Sequence, residues 1–255
     1  MYGNRTIGVV VPTYNEDEFI GEVVLTMPAF VDRIYVADDA STDNTSQVLA
    51  GISDERLVVI SHYKRRGPGS AMLSGYKRAC QDRIDVIAIM AGDGQMDPAI
   101  LNRIIEPVVM QKADYSKGDR LRIKGNTRGM PPWRLFGNRL LSRIIRFASG
   151  YRYISDPLNG YTAITRDTLM KLDLGKIEPG YSFETDLLIK LGGIRARVVN
   201  VDMPARYGSE KSEIAYFSFM IYNSWVIIRD YVSRLRKKNP VTRRVRARIR
   251  ESEQC

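Results

Sequence analysis

Apolar and polar residues alternate in blocks along the first 110 residues, and the blocks predict alternating strands and helices. Uninterrupted apolar runs predict buried strands at Ile7–Val11, Ile34–Ala37, Leu57–Ile60 and Val86–Met90. Apolar residues at helical spacing predict helices over residues 16–27, 41–49, 67–79 and 98–108. Such alternation implies an α/β fold with a parallel sheet, right-handed crossovers and helices on both faces.

The second half of the chain is less regular. Its pattern predicts strands at Asp114–Arg120, Tyr161–Ile164 and Ala196–Met203, and helices at Trp133–Ala148 and Phe183–Leu191. Between them, Leu121–Pro132 is rich in Arg, Lys and Gly and predicts a loop.

Acidic residues follow two of the predicted strands directly. Asp38 and Asp39 end the second strand, and Gly92–Pro98 (GDGQMDP) follows the fourth. Ligands of open α/β sheets bind at the carboxyl ends of the strands. The two strand ends therefore predict a site for a divalent metal and a phosphorylated ligand. Gly67–Gly69, ahead of a helix, is a weaker candidate for a phosphate cradle.

Composition narrows the chemistry. His62 is the only histidine, which disfavours His-based zinc sites and Ser-His-Asp catalysis but leaves oxygen-ligated cations open. Cys80 and Cys255 are the only cysteines, so we expect no disulfide framework and a reducing compartment. The first residues lack the features of a signal peptide, which predicts a catalytic domain on the cytosolic side.

Positive charge is concentrated at the end of the chain. Of the net charge of +10, residues 234–255 contribute +7 from nine Arg and Lys against two Glu. Such a tail can bind anionic lipid, stay solvated without a partner, or bind nucleic acid. The nearly balanced body argues against nucleic acid.

Residues 214–232 combine aromatic and aliphatic residues with Arg229, Asp230 and several polar side chains. This composition is marginal for a spanning helix. Aromatic residues followed by a basic cluster favour a helix that lies in the membrane interface. A helix packed on the protein core is the alternative.

Several motifs, in order and spacing, resemble the family 2 glycosyltransferases with a GT-A (Rossmann-like) fold. They are closest to the dolichyl- or polyprenyl-phosphate sugar synthases, the group of the dolichol-phosphate mannose synthases. The motifs lie within residues 7–213: Val11–Glu16, Asp38–Thr45, Gly92–Pro98, Gly118–Arg120, Arg139, Asp156–Tyr161, Phe183–Asp186 and Arg206–Ser212.

The resemblance assigns the donor side of the site. It implies that the loop with Pro12, Thr13, Tyr14 and Glu16 lines the base and ribose of a nucleotide sugar. Carboxylates accept hydrogen bonds from ring N–H groups and hydroxyls, so Asp38 and Asp39 would contact the same groups. Adjacent like charges also favour a ligand or metal that pairs them.

The resemblance also implies a cation, Mg²⁺ or Mn²⁺, beside the diphosphate. Gly92, Asp93 and Gln95 would face it, with Asp93 and Gln95 as metal ligands. The family usually has Asp-x-Asp here, and Ala91 replaces the first Asp. Asp97 is either a further ligand or the N-cap of a helix that begins at Pro98.

Four basic residues match positions that would bind anions, because the implied acceptor is a lipid phosphate and the leaving group a nucleoside diphosphate. Arg suits bidentate phosphate contact and Lys acts as a point charge. The four candidates are Arg120, Arg139, Arg206 and Lys211.

Three carboxylates are expected on the acceptor side, with Arg139 as a further catalytic candidate: Asp156, Glu184 and Asp186. A phosphate acceptor is already ionised and needs no strong base, and it would make Arg139 and Lys211 essential. A sugar hydroxyl acceptor would instead require Glu184 or Asp186 as base.

The predicted organisation is a catalytic domain over residues 1–213, an interface helix over 214–233 and a basic tail over 234–255. The nucleotide-sugar half would span about 1–115 and the acceptor half 116–213. We expect an inverting glycosyltransferase, peripheral on the cytosolic membrane face and without a nucleic-acid partner, moving a sugar from GDP-mannose or a UDP-sugar to dolichyl or polyprenyl phosphate. A hydroxyl acceptor, a weakly catalytic membrane-recruited binding module, and a homo-oligomer stay open.

Overall fold

The computed structural model describes residues 1–121, 132–204, 222–229 and 231, and these residues contain the predicted alternation of strands and helices. The strands are β1 (Ile7–Thr13), β2 (Arg33–Asp38), β3 (Leu57–Ser61), β4 (Val86–Ile89), β5 (Tyr115–Asp119), β6 (Thr162–Thr165) and β7 (Val198–Asp202). The helices are α1 (Ile20–Leu25), α2 (Thr45–Ala50), α3 (Pro68–Gln81), α4 (Leu101–Val109), α5 (Pro132–Ser149), α6 (Arg166–Met170) and α7 (Phe183–Gly193). Short 3₁₀ helices span Pro98–Ile100 and Leu174–Lys176, and residues 222–229 are helical.

All seven strands form one sheet in the order β3-β2-β1-β4-β6-β5-β7. Strands β1 to β4 are parallel, whereas β6 runs antiparallel to both β4 and β5. Strand β7 pairs in parallel with β5 at the far edge. The predicted mainly parallel α/β sheet is thus confirmed.

The sheet separates two hydrophobic clusters because successive side chains of a strand point to opposite faces. Val10 belongs to the cluster under α3, α5 and α7, and Val9 and Val11 belong to the cluster under α1, α2 and α4. Helices therefore cover both faces, and the carboxyl edge of the parallel strands stays open to ligands.

One helix begins later than predicted. The Ser41–Asp43 sequence predicts a helix from residue 41, but α2 begins at Thr45. Ser41 instead donates to the Asp38 carboxylate through its N–H (3.0 Å) and its hydroxyl (2.5 Å). At the start of α2, Asp43 Oδ1 accepts a hydrogen bond from Thr45 N at 3.0 Å.

The close packing of α3 against β1 depends on Gly75 of α3. A Cβ atom at this position would lie 2.3 Å from Val10 Cγ1, which no packed pair tolerates. We expect Gly75→Ala to lower the free energy of unfolding by about 3 kcal/mol, because overpacking forces the helix away from β1.

Chemical denaturation of Gly75→Ala measures this loss. Val10→Ala introduced into the Gly75→Ala protein should recover part of it by making room. Gly193→Ala is the matched control, since a Cβ there would meet no atom within 4 Å. Equal stability of the Gly75 and Gly193 variants would contradict the tight contact.

The predicted helix over 214–232 is described at residues 222–229 and 231 only. Val226 and Ile227 are buried, whereas Trp225 and Ile228 are exposed, so this part packs one side on the protein and leaves the other open. Among the described residues, none of the helices has both the length and the apolar character required to cross a membrane.

Candidate active site

The carboxyl ends of the parallel strands bring the predicted site residues to one edge of the sheet. Thr13 at the end of β1 lies beside Asp38 at the end of β2 in the strand register. Because β6 is antiparallel, its first residues reach the same edge, and Gly118 N donates to Tyr161 O at 2.8 Å. The loops after β1, β2, β4 and β5 therefore surround one region.

The loops after β1 and β2 are joined into a single wall. Asn15, with a positive φ of 56°, donates its N–H to Ser41 Oγ at 2.9 Å and accepts from Thr42 N at 2.8 Å. Glu16 N donates to Thr45 Oγ1 at 3.0 Å. These links fix the backbone on both sides of Tyr14.

The guanidinium of Arg65 stacks on the ring of Tyr14. The guanidinium carbon of Arg65 lies 3.8 Å from the centre of the Tyr14 ring. Planar stacking of this kind is a property of Arg that Lys lacks. The pair presents a flat, positively charged surface beside the predicted base and ribose loop. The sequence motifs singled out Tyr14 but gave no signal for Arg65.

The charges of Asp38 and Asp39 are compensated inside the protein. Asp38, which is buried, accepts from Ser41 and also from Ser46 Oγ at 3.1 Å. Asp39, also buried, accepts from the backbone N–H groups of Arg66 (2.9 Å) and Gly67 (2.6 Å). Contact of either with a ligand stays a prediction.

His62 has the structural position that is usual for a histidine at a strand end, but the sequence did not reveal its partners. Its Nδ1 lies 2.7 Å from Asp39 Oδ1, and its Nε2 lies 2.9 Å from Ser74 Oγ on α3. The ring therefore links the end of β3 to the acidic pair and to α3. No sequence signal distinguished it from an ordinary residue at a strand end.

The glycines ahead of α3 serve packing. A Cβ at Gly69 would lie 2.6 Å from the carbonyl carbon of Pro179, and Ser70 N donates to Pro179 O at 2.8 Å. The N–H groups of Gly67 and Ser70 are thus engaged within the protein, which argues against a phosphate cradle at Gly67–Gly69. The segment around Pro179 covers this helix end.

The loop after β4 approaches β1 closely through Gly92. A Cβ there would lie 2.9 Å from Thr13 Oγ1, so a larger residue would separate the two loops. Asp93 Oδ1 accepts from Gln95 N at 3.0 Å, in a turn where Gly94 has a positive φ of 73°. The turn thus holds the Asp93 carboxylate against the Gln95 backbone.

Asp97 caps the next helix. Its Oδ1 accepts from Ala99 N at 2.9 Å, and Pro98 occupies the first helical position. The helix-cap alternative for Asp97 is confirmed.

The donors of this loop suit a hard cation. Asp93 and Gln95 supply oxygen atoms, the ligand type that Mg²⁺ and Mn²⁺ prefer. Within the described ranges there is no group of three or more His, Cys, Asp or Glu side chains that would hold a metal ion. Such cations bind through one or two carboxylates together with phosphate oxygens and water. The residues therefore fit a cation whose other ligands come with a diphosphate.

Arg120 and Asp156, both expected on the acceptor side, form a two-point ion pair. Arg120 Nε lies 2.8 Å from Asp156 Oδ2, and Nη2 lies 3.2 Å from Oδ1. The carboxylate is almost fully buried, whereas the Arg side chain keeps 32% of its surface exposed. Asp156 thus fixes the direction of a cation at the end of β5.

Lys117 is a buried cation that sequence reasoning missed. It lies on β5 with no exposed surface, and its ammonium donates to the Asn159 carbonyl. Burial lowers the pKa of Lys117 to about 8, while the charges of Glu184 and Asp156 oppose that fall. Lys in a strand is ordinarily solvent-exposed, so the sequence pattern gave no reason to single it out.

Glu184 and Asp186 lie near the start of α7 but have different surroundings. Burial raises the pKa of Glu184, and the charge of Lys117 opposes the rise. Asp186 is fully buried; it accepts from Glu178 N at 2.6 Å and pairs with Lys190. Asp186 therefore anchors the Glu178 backbone.

The described part of the C-terminal helix attaches to this anchor. Tyr222 Oη donates to Glu178 Oε1 at 2.7 Å, and Arg229 Nη1 lies 3.4 Å from Glu178 Oε2. Arg229 Nη2 also lies 4.0 Å from Asp186 Oδ1.

The other predicted cations are placed differently. Arg139 is exposed on α5. Arg206 and Lys211 lie outside the described residues, as do residues 122–131 of the loop predicted over Leu121–Pro132.

Comparison with known proteins adds a family match. The model of "Glycosyl transferase family 2" matches residues 8–172. The chain is 33% identical to a polyprenol monophosphomannose synthase of Mycolicibacterium smegmatis over 72% of this chain and 70% of that protein. It is 27% identical to a UDP-N-acetylglucosamine–dolichyl-phosphate N-acetylglucosaminyltransferase of Methanococcus voltae over 66% of this chain and 73% of that protein.

A solved structure shares the fold. Glucosyl-3-phosphoglycerate synthase from Mycobacterium tuberculosis, in complex with Mn²⁺, UDP and phosphoglyceric acid, superposes with a TM-score of 0.67 at 22% identity. The match covers 91% of this chain and 78% of that chain.

Proposed function

Since this chain belongs to glycosyl transferase family 2 and is a glycosyltransferase, we propose that it transfers a sugar from a nucleotide sugar to a polyprenyl or dolichyl phosphate. The observation that carries the acceptor class is the pair of relatives at 33% and 27% identity, both named for lipid-phosphate glycosylation. One is named for mannose and the other for a UDP-sugar. These names agree on the acceptor and differ on the donor, which the experiment below identifies.

The nucleotide binds over the loops after β1 and β2. Tyr14 and the Arg65 guanidinium offer a flat face for the base, and the linked turns of Asn15 and Ser41 hold that face in place. Aromatic and guanidinium planes both suit stacking on a nucleobase. The diphosphate extends towards Gly92 and Asp93, where Mg²⁺ or Mn²⁺, when bound, would supply stabilisation of the departing diphosphate charge.

The acceptor phosphate binds on the other side of Asp93, towards Arg120. A phosphate oxygen attacks the anomeric carbon while the bond from that carbon to the diphosphate oxygen breaks. The products are the lipid-linked sugar, with inverted anomeric configuration, and the free nucleoside diphosphate. Arg120, oriented by Asp156, holds the attacking phosphate, and the phosphate needs no base because it is already ionised.

The surroundings of Asp186 favour a phosphate acceptor over a hydroxyl acceptor. A hydroxyl acceptor requires a base with an available carboxylate. The Asp186 carboxylate is fully buried and holds Glu178 N and Lys190. Among the acidic residues considered for that role, Glu184 is the alternative, and the charge of Lys117 beside it opposes the rise of its pKa that burial causes.

Release of nucleoside diphosphate from a panel of UDP- and GDP-sugars tests the proposal. The assay runs with Mg²⁺ or Mn²⁺, with and without polyprenyl phosphate in detergent. We expect release with one donor that depends on the lipid phosphate, and retention of the sugar on the lipid. Release that depends on a glycan hydroxyl instead, or no release with any donor, would overturn the assignment of the acceptor.

A lipid acceptor calls for a membrane-facing surface, which we place on α5 and the C-terminal helix. Phe147 and Tyr231 pack with their ring centres 5.5 Å apart, which joins the two helices. Phe147, Trp225 and Ile228 each expose more than half of their surface. Exposed aromatic residues beside a basic tail are typical of helices at the membrane interface.

We expect Phe147→Ser combined with Trp225→Ser to weaken binding to vesicles at least about tenfold, because each aromatic side chain would lose apolar burial worth more than 1 kcal/mol. Sedimentation with vesicles of phosphatidylcholine and phosphatidylserine measures the change. Val59→Ser combined with Tyr63→Ser is the control, since both residues are exposed at the edge of the sheet that β3 forms. Equal loss in both double variants would contradict the placement.

A further inference from the structure

Lys117 and Glu184 converge on one peptide. The Lys117 ammonium donates to the Asn159 carbonyl, which is part of the peptide bond to Gly160. Glu184 Oε1 lies 3.4 Å from the Cβ position of Gly160. A cation from β5 and a carboxylate from α7 therefore lie next to the same peptide of the loop before β6.

That loop also carries the carboxylate that orients Arg120. Asp156 lies three residues before Asn159, and Asn159 N donates back to Asp156 O at 3.3 Å. The Asn159 side chain is tied in as well, because its Oδ1 accepts from Tyr161 N at 3.0 Å. A shift of the Asn159–Gly160 peptide would therefore be transmitted to Asp156 and to Arg120.

We propose that Lys117 is a positioning residue for the anionic acceptor: its buried ammonium balances Glu184 and fixes the loop through which Asp156 directs Arg120. The proposal rests on the proposed function for the role of Arg120. Lys117 has no exposed surface and cannot touch the substrate, so it acts through these partners.

The charges around Lys117 come from three elements. Glu184 faces it from α7, Asp156 from the loop before β6, and Arg120 from the end of β5. Tyr115 of β5 and Tyr76 of α3 lie beside Glu184, and burial raises the pKa of both phenols, which keeps them neutral. The buried ammonium thus faces two carboxylates, of which Asp156 also pairs with Arg120.

Removal of one partner leaves the other buried without its counter-charge, which is costly, whereas removal of both is much less so. We expect Lys117→Met and Glu184→Gln each to lower the melting temperature by about 10 °C. The double variant should lose much less melting temperature than the sum of the two single losses. Lys77→Met is the matched control, because Lys77 is exposed on α3.

Kinetics separate positioning from stability. In Lys117→Met we expect the KM for polyprenyl phosphate to rise at least about tenfold while UDP and GDP binding by calorimetry stays unchanged. In the parent protein kcat/KM for the lipid should fall above pH 8, as the ammonium is lost when pH rises through its pKa. This alkaline limb should be missing in Lys117→Met.

Additive melting shifts of the two single variants, or an unchanged KM for the lipid in a folded Lys117→Met protein, would overturn the proposal. If the parent protein transfers no sugar to lipid phosphate, the proposed function fails by itself. The melting cycle then still decides whether Lys117 and Glu184 act as a pair.

Discussion

Asp93→Asn is expected to abolish sugar transfer, lowering kcat/KM at least about 1000-fold. Asp93 is the carboxylate of the Gly92–Gln95 turn, and Ala91 stands where the family usually has another Asp. An Asn side chain keeps the size and the hydrogen bond to Gln95 N but removes the negative charge. With a single carboxylate in this turn, the cation should lose most of its affinity.

Nucleoside diphosphate release measured over a range of Mg²⁺ and Mn²⁺ concentrations tests this expectation. Higher metal should restore part of the activity if the loss is one of metal affinity. Asp97→Asn is the control, because Asp97 caps the next helix through Ala99 N and Asn is an equally good cap. Activity of Asp93→Asn within threefold of the parent protein would place the cation elsewhere.

Arg120→Lys should lower kcat/KM for the lipid phosphate about 100-fold, although it keeps the charge. Lys cannot make the two-point contact with Asp156 that fixes the direction of the guanidinium. The loss should appear with the acceptor, whereas binding of the nucleotide should be unchanged because its loops lie across β1 and β2.

Initial rates at varied lipid phosphate and fixed donor measure the effect. The protein offers a matched control in Arg197, which makes a similar pair with Asp114, with Nη2 2.8 Å from Oδ1. That pair lies at the opposite end of β5, and we expect Arg197→Lys to change the rate by less than twofold. A similar loss in both variants would mean that Arg120 acts through stability.

Apolar runs in the sequence were sufficient to predict β1 to β4, and apolar residues at helical spacing predicted most helices. Val86–Met90 has no polar residue, and only a fully buried strand accommodates it, which the centre of the sheet provides. The direction of β6 could not be predicted in this way, because a short apolar run is the same for parallel and antiparallel pairing. That direction is set by contacts with β4 and β5, tens of residues away in the chain.

The sequence predicted which loops meet at the carboxyl edge of the sheet better than it predicted the partners of each side chain. The Asp38–Asp39 pair indicated charge that needs a partner, but its partners are Ser41, Ser46 and His62, brought together by folding. Lys117 was hidden for the same reason, and so was the role of Asp186 as an anchor for the Glu178 backbone. Their importance comes from burial against α7 and the loop before β6, which one strand or helix pattern does not encode.

The position of β4 limits how the enzyme can be divided. This strand pairs with β1 on one side and with β6, which belongs to the predicted acceptor half, on the other. A fragment ending at residue 115 would leave one edge of Val86–Ile89, an all-apolar strand in the middle of the sheet, without its neighbour. Open apolar edges promote aggregation. We therefore expect the nucleotide half to be recovered as aggregate in size-exclusion chromatography. Chimeras between relatives should accordingly exchange the whole sheet and not one half of it.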